Sequence, residues 1–132
     1  MAGELVYLDS SALVKLVVRE RETAALRRFL AARDNRISSI VATVEVVRAA
    51  RRFGEAAGRR ATEVLAGVAL LALDDAVVSR ARSLEPAALR TMDAIHLASA
   101  LSLVPDLGDF VVYDDRLEAA ARDAGLLVAR PS

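Results

Sequence analysis

The chain has 132 residues, 55% of them hydrophobic, which suffices for one buried core and leaves no room for two, so a single domain over 1–132 is expected. Eighteen basic residues offset eighteen acidic ones, which excludes the whole-molecule positive field that many nucleic-acid binders carry. With no cysteine, disulfide frameworks and thiolate metal sites are excluded too, so any metal must be held by oxygen or by the single histidine.

The longest apolar runs, such as 64–73, fall well short of the ~20 residues that span a bilayer, and the amino terminus does not resemble a cleavable signal. A cytoplasmic location is the expectation. Seventeen of the basic residues are arginine, whose planar forks suit phosphate and carboxylate, although genome composition explains the bias equally well.

In chain order, 5–8 is a short apolar run that reads as a strand, and the serines at 10 and 11 begin a helix. A second helix with Leu26, Phe29 and Leu30 on one face ends near 34–35, and 36–39 reads as a short strand. Residues 41–52 carry valines at 41, 44 and 47, a helix despite its β-branched content, with arginines gathered at its far end. Gly54 and Gly58 punctuate a turn before an alanine-rich helix and a buried strand around 70–73. Asp74 and Asp75 open a helix that Pro86 ends, and 92–103 has helical period. Residues 105–108 read as loop and 110–113 as an apolar strand. Asp114 and Asp115 start the last helix, which Gly125 closes before a strand at 126–128. Alternation of this kind, with nearly continuous apolar strands, predicts a parallel sheet covered by helices on both faces.

Ligands of open α/β sheets bind beyond the carboxyl ends of the strands. Asp9 sits there after the first strand, and Asp114 sits one residue past the strand at 110–113. Asp93 falls in the first turn of the 92–103 helix, and Glu45 in the helix after the second strand. Each has a plain alternative. Asp9 and Asp114 are good helix caps, worth about 1 kcal/mol each. Asp93 follows Thr91, a candidate cap, and complements a positive helix end. Glu45 is flanked by valines inside its helix and cannot be a cap; its alternative is an ion pair with Arg48.

The four acids together carry more information than any one of them. Carboxylates about 4 Å apart repel by about 4 kcal/mol per pair at an effective dielectric of about 20, so convergence demands a cation among them. Oxygen donors without thiolates favour Mg2+ or Mn2+, and two such ions can stabilise both oxygens of a phosphoryl displacement. A divalent-metal phosphodiesterase is the chemistry expected.

The motifs resemble those of the PIN-domain ribonucleases, and among them the VapC-type toxins of bacterial toxin–antitoxin pairs. L5-V-Y-L-D-S-S-A-L-V-K-L16 is similar to the first acidic motif of that family, T43-V-E-V-V-R48 to the second, L89-R-T-M-D-A-I-H-L-A98 to the third and F110-V-V-Y-D-D-R-L117 to the fourth. The likeness covers almost the whole chain. It implies a three-layer α/β/α fold with a five-stranded parallel sheet. It further implies that Asp9, Glu45, Asp93 and Asp114 line a Mg2+ or Mn2+ site and activate water for RNA hydrolysis, that a cognate VapB-type antitoxin silences the protein, and that the protein is a homodimer. Val112 departs from the family, which usually has threonine or serine there, and Asp115 is a neighbouring acid of lower rank than Asp114.

Other polar residues divide between roles. Ser10 and Ser11 start a helix, with Ser10 also a candidate donor to a metal-bound water or phosphate. His96, one turn after Asp93, is a structural residue or a general base, its apolar neighbours favouring the first. Arg51-Arg52 and Arg59-Arg60 form a phosphate-binding arm or a solvated face. Two functions of other classes remain. A phosphoacceptor domain also places aspartates at strand ends, but expects a lysine late in the chain where this one has only Lys15. A non-catalytic RNA- or antitoxin-binding module gains little from 4% aromatic residues and no tryptophan.

Overall fold

The computed structural model describes residues 3–132. Five strands, β1 (Leu5–Leu8), β2 (Arg36–Ser39), β3 (Ala69–Leu71), β4 (Leu107–Val111) and β5 (Leu127–Ala129), form one parallel sheet ordered β3-β2-β1-β4-β5. Parallel neighbours cannot be joined by a tight hairpin, so helices carry the chain between strands. These are α1 (Ser10–Val17), α2 (Thr23–Leu30), α3 (Val41–Arg51), α4 (Glu55–Ala66), α5 (Asp75–Ser83), α6 (Thr91–Leu101) and α7 (Asp115–Asp123). The chain builds outward from β1 to β3, then returns to the other side of β1 for β4. The reversal opens a crevice between the loops after β1 and β4, where the carboxyl ends of both strands emerge.

Alternation along β1 divides the core in two. Val6 and Leu8 point into one cluster with Leu13, Leu26, Val46 and Leu65, drawn from α1 to α4. Tyr7 points the other way, into a second cluster with Leu97 of α6, Phe110 of β4, Val112 just past β4 and Leu117 of α7. Each fully buried leucine contributes about 1.5–3 kcal/mol, so both faces of this short central strand are anchored strongly. The three-layer α/β/α arrangement expected from the sequence is the arrangement found. Among the described residues no helix is long and apolar enough to cross a membrane.

Four local expectations are corrected. The helix at 41–51 buries Ala42, Val46 and Ala50, not the stripe of Val41, Val44 and Val47; Val44 is 59% exposed. Alanine lets a helix approach its neighbours closely, and that packing outweighs the hydrophobicity of the valines. The strand near 70–73 is an edge strand, Ala69–Leu71, partly exposed, and Gly58 lies within α4 with no role in the turn. β4 is Leu107–Val111, starting three residues and ending two residues before the apolar run at 110–113, so Val112 and Tyr113 lie beyond it and Asp114 is three residues past its last residue.

Candidate active site

Asp9, Asp74 and Asp114 each follow a strand and cap the helix that comes next. Asp9 Oδ1 accepts the Ala12 N–H at 2.9 Å, Asp74 Oδ1 that of Val77 at 2.8 Å and Asp114 Oδ1 that of Leu117 at 2.9 Å. The capping explanation therefore holds for both candidate acids, yet it occupies only one oxygen of each. Asp93 has a different setting. The residue before its helix is Arg90, with no side-chain cap, and Thr91 is already helical.

Asp9 is 3% exposed. Burial drives its carboxyl up to about 6, against the Ser11 hydroxyl and the Ala12 N–H, which pull it down; the nearby Asp93 charge adds to the rise. Asp93, half-buried, is raised by burial and then by the charge of Asp114, with Glu45 contributing. The charges of Asp114 and Glu45 thus act on Asp93, and that of Asp93 acts on Asp9.

Glu45 is held most tightly. Its Oε1 accepts from Ser10 Oγ at 2.6 Å and from His96 Nε2 at 2.7 Å. Burial alone would raise its carboxyl, but the bonds from His96 and Ser10 outweigh it and hold Glu45 below the usual carboxylate range. The alternative of an ion pair with Arg48 is not realised. Tyr7 Oη lies 2.7 Å from the other ring nitrogen of His96. A ring only 1% exposed with both nitrogens engaged is closed to water, which favours the structural reading of His96 over the general base.

An open cleft of about 470 Å3 is lined by Ser10, Ser11, Lys15, Glu45, Tyr113 and Asp114 among others. Two of its residues carried no weight in the sequence. Ser11 Oγ donates to Asp9 Oδ1 at 2.6 Å and accepts the Tyr113 N–H at 3.0 Å, so one hydroxyl ties the loop after β1 to the end of β4. Lys15, buried, pairs with Glu22 at 2.8 Å and stands 4.6 Å from the centre of the Tyr113 ring. Its signal was present all along, as the one lysine of the chain. Val112 is fully buried in the second core cluster, and the hydroxyl linking this strand end to Asp9 is that of Ser11. Asp115 turns away, its side chain 88% exposed and paired with Arg130. A larger apolar cavity, about 710 Å3, lies between α5 and α6 and contains none of the four acids in its lining.

Carboxylate oxygens that repel one another at a crevice are the donor set of a hard divalent cation, and a cation there would relieve the unfavourable burial of Asp9. The acids are open in arrangement: among the described residues no three Asp, Glu or His side chains are close enough to enclose an ion by themselves.

Residues 6–123 match the family model of the PIN domain. The chain is 50% identical over 127 residues to Ribonuclease VapC46 of Mycobacterium tuberculosis, covering 96% of this chain and 98% of that one. It is 38% identical over 132 residues to Ribonuclease VapC47 of the same species, covering 96% and 97%. In fold it is similar to a toxin-antitoxin complex from Klebsiella pneumoniae, with TM-score 0.72, 21% identity and coverage of 96% and 98%. It is similar also to VapC20 of M. tuberculosis, a sarcin-ricin loop cleaving toxin, with TM-score 0.73, 16% identity and coverage of 96% and 99%. The chain belongs to the PIN domain family, as a homologue of its VapC ribonucleases.

Proposed function

We propose that the chain is an endoribonuclease toxin that hydrolyses RNA phosphodiester bonds with a Mg2+ or Mn2+ ion held by Asp9, Glu45, Asp93 and Asp114. In this reading it acts as a homodimer and is silenced by a cognate VapB-type antitoxin. The observation that carries the proposal is Asp9, a carboxylate kept almost dry beside a second carboxylate, a placement that weakens the fold and is useful only where negative charge is needed. A divalent ion bound there supplies the charge that offsets the acids and acidifies an attacking water. The residues of the chain do the rest. Asp9 and Asp114 each anchor one oxygen on a helix terminus, which fixes the carboxylate plane and leaves the second oxygen for the ion. Ser11 keeps those two loops in register, and Lys15 brings an ammonium to the same cleft.

Arg48 and Arg51 of α3 and Arg52 just past its end follow Glu45, all exposed, around an open hollow of about 280 Å3, with Phe53 66% exposed beside them. They suit the phosphates of a strand entering the cleft. Replacing all three by alanine is expected to weaken RNA binding and to lower the slope of log affinity against log salt by about 2, at roughly 0.7 per lost phosphate contact on a single strand. Titrations in rising NaCl, made on an Asp9→Asn background so that the RNA stays intact, measure it.

The function itself is tested by incubating the purified chain with total RNA and Mn2+ or Mg2+ and sequencing the new 5′ ends. Discrete ends in one RNA class, absent with EDTA, are the expected result. RNA that binds yet stays whole at every concentration of either ion would leave the non-catalytic binding module as the better account.

A further inference from the structure

We infer that His96 is the positioning residue for Glu45, the middle member of a relay that runs from Tyr7 in the core through the imidazole to the carboxylate at the cleft. The inference rests on the proposal that Glu45 serves a bound divalent ion. Three elements meet at this point. Tyr7 is on β1, His96 on α6 and Glu45 on α3, and no two of them are closer than 38 positions in the chain. An ionised carboxylate only accepts hydrogen bonds, so the 2.7 Å contact between His96 Nε2 and Glu45 Oε1 places the ring proton on Nε2. In the neutral ring Nδ1 is then the acceptor for the Tyr7 hydroxyl, also at 2.7 Å. The tautomer is set by the core, and the core thereby sets what the ring offers to Glu45.

The base of the relay is stiff. The Tyr7 and His96 rings meet edge to face, centroids 5.8 Å apart, and Tyr7 stacks on Phe110 at 5.3 Å. Tyr7 is fully buried and His96 is 1% exposed, so neither side chain has another rotamer to visit without opening the core. Glu45 has no such confinement of its own: it lies on a helix surface and its side chain is 25% exposed. What holds it is a pair of donors on Oε1, His96 Nε2 and Ser10 Oγ, the latter at 2.6 Å. With Oε1 committed to these two bonds, Oε2 is the oxygen left for the cleft. Partners of this kind orient ligand side chains, and their removal typically weakens metal affinity about 10- to 100-fold.

The test uses metal-free protein and Mn2+ alone, with the dissociation constant read by calorimetry well below each variant's melting temperature. His96→Phe keeps the aromatic packing on Tyr7 and removes the ring's hydrogen-bond contacts with Tyr7, Glu45 and Ser10, and is expected to weaken Mn2+ binding about 10- to 100-fold. His96→Gln restores an N–H toward Glu45 and is expected to recover most of that loss, which a role in packing alone would not produce. The chain has one histidine, so nitrogen-15 spectra of the ring are unambiguous. A single Nε2–H tautomer is expected in the wild-type protein and a mixture in Tyr7→Phe. Wild-type affinity in His96→Phe, with Asp9→Asn failing to bind, would overturn this inference and leave the proposed ion site standing. A wild-type protein that binds no Mn2+ would overturn the site and the relay together. A ring protonated on Nδ1 alone would also overturn the relay.

Discussion

Asp9→Asn is expected to abolish RNA cleavage while making the metal-free protein harder to unfold. The two effects have one origin. The Asp9 carboxyl rises from its usual 3.8 to about 6 because the fold holds it away from water beside Asp93. A carboxyl raised in the folded state contributes stability that is complete below its unfolded value and is lost as pH climbs through about 6. Above that pH the ionised group destabilises the fold by about 3 kcal/mol. Asparagine has nearly the same shape, keeps an oxygen for the Ala12 N–H and carries no charge. Chemical denaturation with EDTA present should therefore show wild type and variant close together near pH 4, a gap that opens between about pH 4 and 6, and a plateau above. Cleavage should fall by at least about two orders of magnitude, the scale for deleting one charge-stabilising group from a site. Mn2+ should stabilise the wild type and leave the variant unmoved. A variant that is less stable than wild type at pH 8 without metal would show that Asp9 is a structural cap and nothing more.

The four acids of the candidate site are legible as candidates because they belong to short motifs, Asp9 and Asp114 at strand ends, Asp93 at a helix start and Glu45 among valines inside a helix. Asp9 follows an apolar run and precedes two serines, so its loop position needs no knowledge of the rest of the chain. The same is true of Asp114. What the sequence hides is whatever depends on pairs distant along the chain. Tyr7 and His96 are 89 positions apart, and nothing near either residue marks the bond between them. The misread face of α3 has a related cause: valines spaced by three look like a buried stripe, but Ala42 and Ala50 lie where α1 and α4 approach closely, and only the packed structure says so. β4 is the third case. Asp106 and Gly108 look like loop, yet Asp106 accepts the Leu5 N–H and Leu107 pairs with Leu5 of β1, an approach that Gly108 permits because it has no side chain to stand in the way.

That last point predicts a large effect from a single methyl group. Gly108→Ala is expected to destabilise the protein by about 2–3 kcal/mol, although the residue lies at the opposite end of β4 from the acids. A Cβ at 108 would collide with the carbonyl oxygen of Gly3 and stand 3.2 Å from that of Leu5. These obstacles are main chain, with no flexible side-chain tip to swing aside, and relief requires the entry of β1 to move off β4. Against this, replacing glycine by alanine gains about 0.4–1 kcal/mol by restricting the unfolded chain, too little to offset the collision. The seam being forced apart is the one between β1 and β4, already irregular in register between Leu5 and Tyr7, and its far end sets the spacing of Asp9 and Asp114. Urea denaturation should show a lower midpoint with an unchanged slope. Mn2+ affinity and cleavage should fall with it, because the loops that Ser11 ties together are carried by those two strands. An unchanged midpoint would mean that the backbone at Gly3 and Leu5 moves aside at no cost, and would overturn this prediction.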